Sequence, residues 1–149
     1  MNFLSRRSLL AIAAVTDIAL HARPQPVSAK ALAARHKLPA RHLEPVLQAL
    51  VRHGILKGTR GPRGGYELAR ERRRLTAGDI VRAVMMAETE TSPLPRPDSQ
   101  LAEEIVGPLV DRGVVAFLAE LDGVTVDDLC THARLAGAMA AQSNTDFTI

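Results

Sequence analysis

A glycine-rich, doubly basic turn between two short strand-like runs constrains the fold more than any other part of this chain. The runs are Ile55–Arg60 and Tyr66–Ala69, and the turn between them holds three glycines and one proline. Glycine accepts positive φ and proline fixes its own φ, so the chain can reverse tightly here. The pattern predicts a small β-hairpin from which Arg60 and Arg63 project.

Two helix-like segments precede this hairpin. Ser28 is a suitable N-cap for a helix through about His36, and Pro39 can open the next helix, which runs to about His53. Pro45 lies inside that helix and predicts a kink or a tighter first turn. The expected buried stripe of the third helix is Leu43, Val46, Leu47, Leu50 and Val51. Helix, turn, helix and hairpin together predict a mainly α-helical winged helix-turn-helix.

The first twenty residues combine a helical pattern with a partial likeness to an export signal. Arg6 and Arg7 precede an apolar run, but that run ends after only seven residues at Thr16 and Asp17. We therefore expect a first helix over residues 4–22 and a cytoplasmic protein. The helix face that we expect to be apolar is Leu9, Ile12, Ala13, Thr16, Ala19 and Leu20.

The second half divides into a helix, a loop and two further helices. Thr76 with Asp79 predicts an N-terminal cap for a helix that runs to about Met86. Residues 87–99 contain three prolines and are expected to form a loop. Thr125 should cap a last helix through about Met139, with a loose tail from Ala140.

The longest apolar periodicity spans residues 100–121, with an interruption expected at Gly107–Pro108. Its members are Leu101, Ile105, Val106, Leu109, Val110, Val114, Phe117, Leu118 and Leu121. Such a stripe suits packing against a second copy of the chain, and the alternative is an intramolecular core helix. The expected organisation is a winged head over 1–86, the loop 87–99, and a dimerisation helix, last helix and tail over 100–149.

Charge is divided unevenly along the chain. Residues 1–74 hold 15 Lys or Arg and 4 Asp or Glu, whereas residues 75–149 hold 4 and 12. A basic half that also carries the hairpin favours contact with a polyanion, although two solvated faces of opposite sign would give the same composition. No segment is long and apolar enough to span a membrane.

The predicted fold indicates which residues would meet double-stranded DNA. In a helix-turn-helix, the start of the second helix enters the major groove, and the preceding helix contributes phosphate contacts. The candidates are Ser28, Lys30, Ala40, Arg41, His42 and Glu44, joined by Arg60 and Arg63 of the hairpin. The basic run Arg70–Arg74 could be a solvated linker or a further phosphate contact.

Four segments resemble the Rrf2 family of bacterial regulators over about residues 4–130. They are Val27–Lys30, Leu38–Glu44, Arg60–Ala69 and Thr76–Val84. The resemblance implies a bacterial homodimeric transcription regulator with a winged helix-turn-helix head, a long dimerisation helix and a palindromic operator. We expect this regulator to be a repressor. It also assigns the recognition-helix and wing roles to Arg41, His42, Arg60 and Arg63.

The chain departs from its cluster-binding relatives in the loop before the long helix. Those relatives carry three cysteines there, whereas Glu88–Leu101 contains none. The single cysteine of the chain, Cys130, cannot supply the several thiolates of an iron–sulfur cluster, and no histidine spacing indicates a metal site. We therefore expect no cofactor. A redox switch at Cys130 is a weaker hypothesis than a small buried side chain.

A second interpretation belongs to a different class of protein. The winged fold could be a protein-interaction module that binds DNA weakly, with the acidic half and the loop 87–99 as its docking surface. The salt dependence of DNA binding would separate the two interpretations, because phosphate neutralisation releases counterions. An enzyme is not indicated, since the sequence shows no nucleophile–base arrangement and no phosphate-binding loop that leads into a helix.

Overall fold

The computed structural model describes residues 4–91 and 94–146. Within these ranges the chain is mainly α-helical, with one antiparallel hairpin and one π-helical segment. The elements are α1 Arg6–His21, α2 Ala29–His36, α3 Ala40–Arg52, β1 Leu56–Thr59, β2 Gly65–Leu68, α4 Ala77–Thr91, the π-helical segment Leu101–Val106, α5 Gly107–Asp122 and α6 Val126–Asp146. We refer to α1–α4 with the hairpin as the head, and to residues 94–122 as the arm.

The core lies in the head, where α1 packs against α3, α4, α6 and β2. The predicted stripe of α3 is confirmed at Leu43, Val46, Leu47 and Leu50, all of which are buried. Pro45 lies within α3, and the first turn closes with an N–H of His42 donating to the Pro39 carbonyl at 3.0 Å. This contact spans three residues rather than four and so gives the tighter first turn that was expected.

The predicted apolar face of α1 is only partly right, because Ile12, Ala19 and Leu20 pack half-buried against the core while Leu9 and Ala13 are exposed. The structure instead buries the side chains of Ser8, Ala11, Ala14, Val15, Asp17 and Ile18, while Leu9 is exposed. Small side chains on the buried face let α1 approach its neighbours closely, so the face is marked by alanine rather than by leucine. Asp17 is buried on this face because it has partners in α2, which the sequence periodicity could not reveal.

The wing is joined by a third extended segment. The backbone of Val27 exchanges hydrogen bonds of 2.9 and 2.8 Å with Tyr66 of β2. This approach requires glycine at position 65, because a Cβ atom there would collide with the Val27 carbonyl group. The wing is therefore fixed to the residues that open α2, and Ser28 lies immediately beside it.

The arm differs from the expectation at its start. Helix α4 continues to Thr91, so the prediction that a loop begins at residue 87 is wrong. Ala87 and Glu88 favour helix and the first proline comes only at residue 93, outside the described residues. Residues 95–98 are irregular, as three prolines predict.

The interruption expected at Gly107–Pro108 takes the form of a π-helical turn. Gly107 donates its N–H to the carbonyl of Ala102, five residues back. Pro108 has no N–H with which to bond the carbonyl four residues before it, so the wider turn avoids that mismatch. The apolar side chains of the long helix consequently shift in angular position at this point.

Helices α4 and α6 begin side by side. Thr76 and Thr125 cap them through reciprocal hydrogen bonds with Asp79 and Asp128, which confirms both predicted caps. Ala77 donates to the Val124 carbonyl and Val126 to the Leu75 carbonyl, each at 2.8 Å. The last helix continues to Asp146, so the loose tail predicted from Ala140 is wrong over 140–146, where residues such as Ala140, Ala141 and Gln142 favour helix.

Candidate nucleic-acid interface

The start of α2 presents one capped serine and one exposed lysine. The Ser28 hydroxyl accepts a hydrogen bond from the Ala31 N–H at 3.1 Å, so this oxygen already serves the helix. Lys30 is exposed and has no ion pair with any carboxylate that the structure describes. The positive end of the helix dipole and the Lys30 ammonium group therefore act together at this point.

The start of α3 is open. Pro39 occupies the N-cap position and forms no side-chain cap, so the first backbone N–H groups of the helix lack a capping side chain. The predicted residues Ala40, Arg41, His42 and Glu44 are all exposed. Among the described residues no ion pair joins Arg41 to a carboxylate, and Glu44 does not hold it in place. The structure therefore presents these four side chains to solvent as a group.

The two arginines at the tip of the wing, like Arg41, form no ion pair within the described residues. Strand register pairs Thr59 with Gly65, which places Arg60 and Arg63 in the turn beyond the last strand pair. Both side chains are exposed, and neither has an ion pair within the described part of the chain. A cleft of about 400 Å³ lies between the wing and α2, with Arg63 and Ser28 among its lining residues. Ser28 and the wing tip thus border one surface.

A buried carboxylate, Asp17 of α1, joins the first two helices. Asp17 is 8% exposed and accepts hydrogen bonds from Arg35 at 2.6–3.1 Å, His36 at 3.0 Å and His21 at 3.1 Å. Burial by itself would raise the pKa of Asp17, but the hydrogen bonds and charge of Arg35, aided by His21, hold this pKa below its usual value. The carboxylate therefore stays ionised and fixes α2 against α1.

The sequence offered only one signal for this network, which was an aspartate in the middle of an apolar helical pattern. Its partners Arg35 and His36 follow 18 and 19 residues later, a separation that no local spacing rule covers. The position of α2, and with it Lys30, depends on this contact.

The basic run Arg70–Arg74 contacts carboxylates of the protein itself. Arg72 forms an ion pair with Asp127 of α6 at 2.9 Å, and Arg70 approaches Asp79 of α4 at 4.0 Å. These contacts join the linker after the wing to the helices behind it. The run is therefore partly neutralised by α4 and α6, in contrast to the unpaired arginines of the wing tip.

The fold and this surface define a DNA-binding transcriptional regulator of the winged helix-turn-helix class. A family model described as "Rrf2: Iron-dependent Transcriptional regulator" matches residues 4–132. The chain belongs to the Rrf2 family.

Individual relatives agree with this assignment. A Synechocystis sp. protein named as an HTH-type transcriptional regulator is 36% identical over 134 residues, which cover 88% of this chain and 89% of the relative. Protein rrf2 of Nitratidesulfovibrio vulgaris is 32% identical over 138 residues, covering 89% of each. No enzyme activity is indicated by these matches.

Solved structures show the same fold. The structure of T. potens IscR has a TM-score of 0.67 and 29% identity, and covers 89% of both chains. The structure of CymR, the global cysteine regulator of B. subtilis, has a TM-score of 0.66 and 29% identity, and covers 89% of this chain and 98% of that one. The predicted combination of helices and wing is thereby confirmed.

The donor atoms of this chain do not fit the iron suggested by the family description. Cys130 is 1% exposed in α6, and burial raises the pKa of its thiol, which opposes formation of the thiolate ligand. Among the described residues no group of three or more His, Cys, Asp or Glu side chains is arranged to hold a metal ion. The same described ranges contain no helix long and apolar enough to cross a membrane.

Proposed function

We propose that this protein is a sequence-specific, cytoplasmic DNA-binding regulator that acts as a homodimeric repressor at a palindromic operator, without an iron–sulfur cluster. The observation that carries the proposal is the set of exposed arginines, Arg41, Arg60 and Arg63, which have no carboxylate partner among the described residues. Unpaired guanidinium groups are free to bind phosphates and the edge of guanine.

Each predicted residue has a distinct role in the proposal. Arg41 makes the bidentate contact to guanine, Glu44 accepts from cytosine, and His42 donates or accepts at a neighbouring base. Ala40 opens the helix that enters the major groove, where a methyl group is small enough to allow close approach.

The remaining roles are contacts to the DNA backbone. Lys30 and the start of α2, capped by Ser28, bind phosphate, and Arg60 and Arg63 reach phosphates or the adjacent minor groove. These contacts set the position of the head on the duplex, while α3 reads the sequence.

The apolar surface of the arm supports a homodimer. Leu101, Ile105, Val106, Leu109, Val110 and Val115 are between 45% and 68% exposed. A surface of this kind on a helical arm is typical of a subunit interface, and a two-fold pairing would present two heads to two half-sites. The other half of α5, which includes the buried Leu118, packs on α4 within the same chain.

The repressor role and the absence of an iron–sulfur cluster are separate parts of the proposal. In a repressor, operator binding excludes the transcription machinery, and this is the direction of regulation that we propose. The absence of cysteine from residues 88–101 and the burial of Cys130 support regulation without an iron–sulfur cluster. Measuring iron and sulfide in protein purified without oxygen would test the second point, and a stoichiometric cluster would overturn it.

The first experiment is a binding titration with the DNA upstream of the protein's own gene, at two salt concentrations and with unrelated DNA as competitor. We expect binding that persists with competitor and weakens steeply with salt. Binding that competitor abolishes at both salt concentrations would favour the protein-interaction module instead. A promoter–reporter fusion would then show repression as a rise in expression when the protein is removed.

Two variants separate sequence reading from phosphate contact. Replacing Arg60 and Arg63 together with alanine should weaken binding to operator and unrelated DNA alike, and reduce the salt slope by about one for each phosphate that the protein no longer neutralises. Arg41→Ala should mainly reduce discrimination, by about 1–3 kcal/mol for the guanine contact. Arg96→Ala, a change of the same kind outside the head, is the matched control and should leave both quantities unchanged.

A further inference from the structure

A cleft of about 800 Å³ in the head is lined by none of the eight proposed DNA-contact residues. Its walls come from the end of α1, the end of β2 with the linker that follows, and α6. Its apolar lining includes Ile18, Ala19, Leu20 and Leu68, and its charged lining includes Arg23, Arg70, Arg72, Arg73 and Arg134. A volume of this size accommodates a small metabolite.

The cleft carries an excess of positive charge. Five arginines and two glutamates line it, an excess of three positive charges among the lining residues themselves. Both glutamates are engaged with cations outside the lining: Glu67 contacts Lys57 at 3.2 Å, and Glu71 lies 3.8 Å from Arg74. The two glutamates of the lining therefore do little to neutralise its arginines, and the carboxylates that pair with some of them, Asp79 and Asp127, lie outside the lining.

Two of the five arginines have no protein partner in the described part of the chain. Arg72 is held by Asp127, and Arg70 and Arg73 lie within 4.0 Å of carboxylates. No ion pair joins Arg23 or Arg134 to a described carboxylate. These two residues are the groups best placed to bind an added anion, with the linker arginines behind them.

The position of the cleft connects it to the DNA surface through one residue. The strand register pairs Glu67 with Lys57 near the base of the hairpin, away from Arg60 and Arg63. Arg23, however, also lines the smaller cleft that holds Ser28 and Arg63. Arg23 therefore stands between the two clefts and can serve only one anion at a time.

We propose that the larger cleft is an effector site for a small organic anion, with a carboxylate or phosphate head group on a short aliphatic body. Guanidinium groups bind such head groups bidentately, and the aliphatic body covers the apolar lining. Occupancy lowers DNA affinity, because the ligand draws Arg23 away from the DNA side and neutralises part of the basic half. This last step rests on the proposed function as a DNA-binding regulator.

The binding test contains no DNA, so its failure is distinct from failure of the DNA-binding proposal. Thermal unfolding of the full chain is measured with hexanoate, hexyl phosphate, inorganic phosphate and hexanol. We expect Tm to rise by several degrees with one or both hexyl anions, because a ligand that binds only the folded state stabilises it. Comparison of hexanoate with hexyl phosphate identifies the head group, and hexanol should have no effect.

Variants locate the site. Changing Arg23 and Arg134 together to glutamine should weaken binding of the effective anion about tenfold or more, since the change removes two charged hydrogen-bond donors. The same change at Arg96 is the matched control. Circular dichroism and an unchanged Tm without ligand would show that the double variant is folded. If it unfolds, Arg134→Gln alone, on the exposed side of α6, should still weaken binding measurably.

Three outcomes would overturn the proposal. The first is no rise in Tm with either hexyl anion, and the second is an equal rise in the Arg23/Arg134 variant. The third is that Arg134→Gln, with no anion present, weakens DNA binding and reduces its salt slope, which would assign the cleft to DNA phosphate instead. If inorganic phosphate raises Tm as much as hexyl phosphate does, the aliphatic part of the proposal is wrong.

The expected result with DNA is that the effective anion weakens operator binding by the wild type but not by the double variant.

Discussion

The head and the arm are both rich in aliphatic side chains, but they use them differently. Leu32, Leu43, Leu47 and Ile80 of the head are completely buried within one chain, whereas Ile105 and Leu109 of the arm are about two-thirds exposed. The head also satisfies a buried carboxylate, Asp17, with three side chains of its own. The core of the head is closed within one chain, with Val126 and Cys130 of α6 among its buried members, whereas the arm leaves many of its apolar side chains uncovered.

The largest effect is expected in the arm. Leu109→Asp would place a charge within the proposed subunit interface twice per dimer, and should raise the dissociation constant of the dimer at least about a thousandfold. Sedimentation equilibrium would measure this change, with circular dichroism to verify the fold. Leu94→Asp, at another exposed leucine on the irregular segment, is the control. If Leu109→Asp left the dissociation constant of the dimer unchanged, the exposed aliphatic side chains of the arm would not form the subunit interface.

In the head, a core truncation should reduce stability rather than assembly. Leu47→Ala removes a completely buried side chain, so the free energy of unfolding should fall by about 2–5 kcal/mol. Urea unfolding monitored by circular dichroism would measure it, at one fixed protein concentration. The comparison variant is Leu109→Ala, which should change unfolding only as far as it weakens the dimer. If Leu47→Ala and Leu109→Ala lowered the free energy of unfolding equally at low protein concentration, where dimers dissociate, the head would not differ from the arm in this respect.

Replacing the buried carboxylate of Asp17 should reduce the stability of the head by a smaller amount, which depends on pH. Asp17→Asn should destabilise the head by about 1–3 kcal/mol at neutral pH, because Arg35 would no longer have a charged partner. The pKa of Asp17 is lowered in the folded state, so its contribution is present above the unfolded pKa of about 4 and is lost as pH falls through the folded value.

Unfolding measured from pH 7 to pH 3 should therefore show wild type and variant converging below about pH 4. Arg35→Gln should narrow the same gap, since it removes the main partner. A constant difference between wild type and Asp17→Asn at all pH values would mean that the loss of stability comes from packing and not from the charge.

The smallest effect is expected at Cys130. Burial raises the pKa of this thiol, although Arg72 and Arg134 act in the opposite direction. Native protein should react with a thiol reagent much more slowly than urea-unfolded protein, and peroxide should leave DNA binding unchanged. Cys130→Ala provides the blank for both assays. If peroxide released DNA from wild type but not from Cys130→Ala, the redox hypothesis would replace this expectation.

The elements with local signals could be predicted from the sequence. The Ser28 cap, four residues of the α3 stripe and the hairpin each follow from one stretch of chain and are found where expected. Of the three wing glycines, only Gly61 has the positive φ that was expected. The start of α4 was equally clear, because Thr76 and Asp79 cap each other.

Contacts between distant segments could not be predicted in this way. The inward face of α1 depends on its packing against α3, α4 and α6 and on the partners of Asp17 in α2, so the positions of its leucines gave that face only in part. The clefts are formed by residues from α1, the wing linker and α6, which no spacing rule brings together. The ends of α4 and α6 were also placed too early, because ordinary helix-forming residues carry no stop signal.

The paired starts of α4 and α6 join the far end of the arm to the beginning of α4. The backbone bond from Ala77 to Val124 makes this junction, and the bidentate contact of Arg82 with Asp122 fastens it at 2.7 Å. Residues 77–124 therefore form a loop that is closed at its base. A rotation of α5 is transmitted directly to the start of α4, so the junction mechanically couples the arm to the head.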